Sequence, residues 1–102
     1  MSATKEYITD TVEVTSTLPL DLDVVQVLGS YADSGWITSD DGSILVQLNG
    51  VETMKIPLTS GDTLNFETED KWSIKRIKVT TTSVSSLIIR YFLRRKVVTT
   101  LS

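Results

Sequence analysis

The 102 residues are the length of one domain, and a chain of this size buries roughly 60–70% of the surface its unfolded form exposes, enough for one real core. Ten basic against thirteen acidic side chains leave a net charge of −3, and no apolar run approaches the ~20 residues of a membrane-spanning helix. Cysteine and histidine are both absent, which removes a disulfide framework, the usual base of a Ser or Cys nucleophile, and the preferred ligands of zinc.

The first six residues hold no apolar segment of the kind a secretory signal needs. Residues 1–10, polar apart from Tyr7-Ile8, are expected to form a loosely held terminus or a short edge strand. Residues 11–15 alternate as a half-buried strand does, with Val12 and Val14 to one side and Thr11, Glu13 and Thr15 to the other. Pro19 cannot donate to a ladder, so residues 17–20 form a turn or an edge. Residues 20–29 fit two periods: Leu20, Leu22, Val24 and Leu28 recur at period two, whereas Leu18, Leu22, Val25 and Gly29 would share a helical face. The paired valines and the Gly29-Ser30 stop favour a strand. Residues 30–42 are the least regular. Trp36-Ile37-Thr38 reads as a short strand that turns through Ser39-Asp40-Asp41-Gly42, Asp-Gly being a favoured hairpin turn.

Residues 43–93 organise the chain. Residues 43–48 form an alternating strand, and Asn49-Gly50 is the strongest short hairpin signal because both positions take positive φ. A strand over residues 52–58 follows, ending at an edge or exit because of Pro57. Thr59-Ser60-Gly61-Asp62 turns the chain into a strand over residues 63–67, and another spans residues 72–80. In that last strand Trp72 and Ile74 lie on one face but Ile77 and Val79 on the other. Either a β-bulge near Lys75-Arg76 restores one buried face, or both faces are buried. After a polar connection, residues 87–93 are apolar on both faces, which marks a central strand or a strand with one face in a subunit interface. Residues 97–101 read as a last strand or an extended arm. The expected fold is a single all-β domain over residues 1–102. It is a sandwich or barrel of about seven to eight short antiparallel strands, with jelly-roll-like and immunoglobulin-like topologies both open.

Candidate sites are few. Asp21 with Asp23, or Asp40 with Asp41, are the carboxylate pairs formally open to acid–base chemistry, and solvated strand and turn positions are the preferred explanation of them. Asp33, Asp40, Asp41 and Gly42 offer hard oxygens but lack the alternating ligand spacing of a calcium loop, so no metal and no cofactor are expected. Tyr31 and Trp36 lie in a polar stretch, where aromatics can stack on sugar rings or anchor a protein; the alternative is that Trp36 covers one end of the core.

Charge is strongly divided along the chain. Residues 1–70 carry −11, two lysines against all thirteen carboxylates, and residues 71–102 carry +8. The basic segment, Lys75, Arg76, Lys78, Arg90, Arg94, Arg95 and Lys96, with Tyr91 and Phe92 near Arg90, can meet a polyanion. It can equally pair with the acidic early strands of its own fold, or steer the docking of a neighbouring subunit.

Leu48-Asn49-Gly50, then Ile56 to Leu64 with its Leu58-Thr59-Ser60-Gly61-Asp62 turn, then Ser73-Ile74-Lys75-Arg76-Ile77-Lys78-Val79 form a pattern. It resembles small β-rich structural proteins of tailed bacteriophages, of the head-decoration and head-fibre kind. The likeness covers roughly the second half of the chain and carries over turn and core residues, with no catalytic residue. It implies a non-enzymatic virion component, present in the virion and in the host cytoplasm during assembly, that binds its own copies or a capsid surface. The alternatives are a carbohydrate- or receptor-binding module using Tyr31 and Trp36, and a nucleic-acid binder using the basic segment. A membrane partner is not expected.

Overall fold

In the computed structural model, which describes residues 6–67 and 71–95, the chain rolls up as one long antiparallel hairpin. Eight strands follow in order: β1 Tyr7–Val14, β2 Leu20–Asp23, β3 Ala32–Ser39, β4 Ile44–Leu48, β5 Lys55–Leu58, β6 Thr63–Phe66, β7 Arg76–Thr80 and β8 Leu87–Arg95. One five-residue helix, α1 Val24–Leu28, stands between β2 and β3. The pairs are nested: β1 with β8, β2 with β7, β3 with β6 and β4 with β5. Two further ladders, β3·β8 and β4·β7, join them into two four-stranded sheets of order β1-β8-β3-β6 and β2-β7-β4-β5. This is the jelly-roll arrangement of two facing sheets. It excludes the immunoglobulin order, in which the first two strands are neighbours in one sheet.

Alternation builds the core as the sequence implies. The inner residues of β8, Leu87, Ile89, Tyr91 and Leu93, are buried with Ile8, Val14, Ile37 and Phe66 of the same sheet. Ile44, Val46, Leu48, Leu58, Ile77 and Val79 come from the other sheet, and Val24 and Leu28 of α1 join the same cluster. Among the described residues the only hairpin between consecutive paired strands is β4–β5. Its Asn49 and Gly50 both take positive φ, 56° and 70°, as a two-residue turn of this kind requires. β5 begins at Lys55 rather than at Glu52, because two successive turns, Val51 N–H to Leu48 C=O (3.1 Å) and Met54 N–H to Val51 C=O (3.0 Å), occupy the intervening residues.

Three expectations are corrected. The segment after Leu20 is a strand only to Asp23; Val24–Leu28 is helical. The Asp23 carboxylate accepts the Gln26 N–H at 3.2 Å, and Gly29, at φ 86°, closes the helix by donating to Val25 C=O. These two caps outweigh the strand preference of the valines. The irregular stretch 30–42 holds a full eight-residue strand, β3, central in its sheet between β8 and β6, with a register shift between Ala32 and Ser34. The Asp41-Gly42 step does not make a hairpin: it carries the chain from one sheet to the other. The edge-strand alternative for the first ten residues holds for residues 7–10, the first half of β1, which lies at the edge of its sheet and is paired to β8 residue by residue, while residues 1–5 and the arm at 97–101 lie outside the described residues.

The phase slip near Lys75 is a change of sheet. Ile74 bridges Ala32 of β3, whereas Arg76–Thr80 pairs with β2 and β4. Both segments therefore point their apolar residues into one core from opposite layers. The crossing is held by Asn49, whose Oδ1 accepts the N–H groups of Lys75 (2.7 Å) and Arg76 (3.2 Å) and whose Nδ2 donates to Ser73 C=O (2.9 Å). Asn49→Ala is expected to lower stability by about 1–2 kcal/mol, since it removes these partners at a positive-φ position. A urea midpoint unchanged from the wild type would contradict this.

Candidate functional site

The two sheets differ on their outward faces. On β2-β7-β4-β5 the outward side chains of β2 and most of those of β7 are charged, beside Gln47, Leu45 and Pro57 of the neighbouring strands. Asp21 and Asp23 lie opposite Lys78 and Arg76, Lys78 lies opposite Gln47, and Gln47 opposite Lys55. Arg76 Nε pairs with Asp21 at 2.8 Å and Lys55 with Glu52 at 2.7 Å. Part of the charge division along the sequence is therefore internal, with a basic late strand lying beside an acidic early one. The Arg76 hydrogen bond holds Asp21 below its ordinary pKa, the Lys55 hydrogen bond does the same for Glu52, and the Thr59 backbone N–H for Asp62. Depressed carboxylates contribute stability that is present above the unfolded-state range and lost as pH falls through the lower folded values. The melting temperature is expected to be flat from neutrality to about pH 5 and to fall below about pH 4. The decline is shallow, because these groups are solvent-screened. A melting temperature unchanged to about pH 2 would contradict it.

The outward face of β1-β8-β3-β6 is different. The registers place side chains in rows across the strands: Tyr7, Arg94 and Ser34; then Thr9, Phe92, Trp36 and Asn65; then Thr11, Arg90, Thr38 and Thr63; then Glu13 and Ile88. Tyr7, Phe92 and Trp36 touch in a line across three strands. Their ring centroids are 5.4 Å apart for Tyr7–Phe92 and 6.4 Å for Trp36–Phe92, with interplanar angles of 31° and 25°. Tyr7 is 53% exposed, and Phe92 and Trp36 are half-buried. Thr and Asn side chains edge the row, and Arg90, bound to Asp40 at 2.7 Å, lies one row away.

Trp36 thus does not cover an end of the core; it stands on the outside of a sheet. Tyr31 is not its companion. It precedes β3 and lies roughly 16 Å from Trp36 along an extended chain. The aromatic companions of Trp36 are Phe92 and, beyond it, Tyr7. Phe92 was signalled by the two-faced apolar pattern of residues 87–93; Tyr7, alone in a polar stretch, had no local signal.

The basic residues do not form one patch. Arg76 and Lys78 are outward on one sheet, Arg90 and Arg94 outward on the other. Lys75 is exposed at the crossing between sheets, Arg95 is half-buried at the end of β8, and Lys96 lies outside the described residues. Arg76 and Arg90 are engaged by Asp21 and Asp40. The candidate calcium oxygens are also apart. Asp33 is near the start of β3 and Asp40 and Asp41 beyond its end, where Asp41 accepts the Ile88 N–H at 2.9 Å. Among the described residues no three Asp or Glu side chains gather in a metal-binding group, and no helix is long and apolar enough to cross a membrane.

No protein-family model matches the chain, and no curated protein matches it. Among solved structures, the chain is similar to one reported under the words "Bacillus endospore appendages form a novel family of disulfide-linked pili", at 14% identity over 92% of this chain and 93% of that one. The TM-score of 0.42 is too low to carry the other protein's biology to this one, and these 102 residues contain no cysteine with which to form a disulfide.

Proposed function

We propose that the chain is a non-enzymatic structural protein, a subunit of a tailed-phage virion of the head-decoration or head-fibre kind, that docks on its own copies or on a capsid surface. The docking face is the outward side of β1-β8-β3-β6. The observation that supports this most is the Tyr7–Phe92–Trp36 row: three touching aromatics on the solvent side of a rigid sheet, rimmed by threonines, Asn65 and Arg94. An apolar centre with a polar rim is the make-up of a docking surface, and Trp, Tyr and Arg are the residues that most often carry its binding energy. The protein would act in the virion and, during assembly, in the host cytoplasm. Light scattering over a concentration series, paired with co-sedimentation on phage heads, tests the reading. The expected result is a mass that rises above the monomer or retention on heads; a strict monomer that ignores heads overturns it.

A second reading is a glycan-binding module, moved from Tyr31 with Trp36 to Trp36 with Phe92 and Tyr7, because the hydroxyl and amide side chains of Ser34, Thr38 and Asn65 flank that row. Tryptophan emission that ignores a broad glycan panel would dismiss it.

A further inference from the structure

We infer that the outward face of β1-β8-β3-β6 is self-complementary and takes a second copy of the same face, turned end for end. The inference rests on the assembly reading above and names its partner and geometry.

The argument is one of register and charge. Consider a two-fold axis lying in the interface, across the strands at the level of Asp10 and Tyr91. It reverses strand direction and lays each strand over its own copy. The row holding Thr9, Phe92 and Trp36 then falls on the partner copy's row of Thr11, Arg90 and Thr38. Phe92 meets an arginine, a pairing with cation–π attraction that strengthens on desolvation. The row of Tyr7 and Arg94 falls on the row of Glu13 and Ile88, so Tyr7 lies over the partner copy's Glu13 and Arg94 lies one strand spacing from that carboxylate, within diagonal reach, twice by symmetry. Among the described residues the charged groups at this face are Arg90, Arg94, Glu13, Asp40 and, by the alternation of β6, Glu67, so each copy carries only a small net negative charge there. The outward face of the other sheet has no aromatic row, and Arg76 and Lys55 there are already paired with Asp21 and Glu52 of the same chain.

The size of the face sets the strength. Four strands about 4.8 Å apart and roughly 24 Å long present on the order of 450 Å² in projection per copy. Doubled, that is about 900 Å², in the range of weak, transient contacts below the ~1,200 Å² of a standard specific interface. The pairing is therefore concentration-dependent, and reinforced when many copies are held on one particle.

A charge swap tests it by sedimentation equilibrium, with circular dichroism to establish that each variant is folded. Glu13→Arg and Arg94→Glu are each expected to weaken self-association about 10-fold or more, and the double variant to recover to within about 3-fold of the wild type. Phe92→Ala is expected to weaken it without unfolding the domain. Assembly that ignores all three substitutions, or a double variant no better than the singles, overturns this pairing and leaves the assembly role standing. A wild type that stays monomeric at its solubility limit and does not bind phage heads overturns both.

Discussion

Gly35→Ala is expected to destroy or nearly destroy the fold. Gly35 sits mid-strand in β3, opposite Leu93 of β8 on one side and Phe66 of β6 on the other. Its φ is 139°, and a Cβ there would lie 2.0 Å from the Phe92 carbonyl oxygen and 2.9 Å from Leu93 Cα. Both obstacles are backbone in the central strand of the sheet, so no rotamer change relieves them. Strain at positive φ costs about 1–3 kcal/mol and an overpacked contact about as much again. The sum, roughly 4 kcal/mol or more, is a large part of the 5–15 kcal/mol by which a domain is stable. Gly61→Ala is the matched control: φ is 84° but nothing lies within 4 Å of a built Cβ, so only the strain applies, about 1 kcal/mol. Urea unfolding should show the first variant unfolded or severely weakened and the second close to wild type. A Gly35→Ala protein within about 1 kcal/mol of the wild type would mean that β3 and β8 are not packed at this distance.

Phe66→Ala is expected to cost about 3–5 kcal/mol. Phe66 is the largest fully buried side chain, 2% exposed, at the end of edge strand β6. It packs edge-on against Trp72, with centroids 5.2 Å apart and planes at 78°. The residue beside it across the ladder is Gly35, which has no side chain to expand into the void. A cavity therefore remains, and Trp72 loses its aromatic partner. The measurements are the urea midpoint and the near-ultraviolet circular dichroism of the tryptophans. A midpoint shift worth less than about 1 kcal/mol would show that this end of the core collapses without it.

The strands of residues 43–93 are readable because alternation is a local property, and Asn49-Gly50 announces its turn because both residues tolerate positive φ. Sheet order was not readable. Of the seven links between the described strands only β4–β5 is a hairpin, so nearest-neighbour reasoning misleads at Asp41-Gly42, and alternation alone cannot tell a bulge from the change of sheet at Lys75. Val24–Leu28 was missed because five residues of helix rest on two caps, Asp23 and Gly29, against a β-prone composition. β3 was under-read because Ser34 and Thr38 beside Trp36 are polar and Gly35 breaks the inward apolar pattern. The candidate site was half legible. Trp36 stood out by type and Phe92 by the two-faced pattern of β8. Their contact with each other and with Tyr7 depends on registers that join residues from opposite ends of the chain, which no local period encodes. The separation of Arg76 and Lys78 from Arg90 and Arg94 has the same origin: β7 and β8 follow each other in sequence but belong to different sheets.

The most direct measurement is a high-resolution structure of the protein in its assembled form, on a particle or in its own oligomer. The account predicts that Phe92 and Trp36 lose their remaining exposure to a neighbouring subunit, with Tyr7 at the rim of the same contact. Subunits joined through other surfaces, with the three rings still facing solvent, would contradict it.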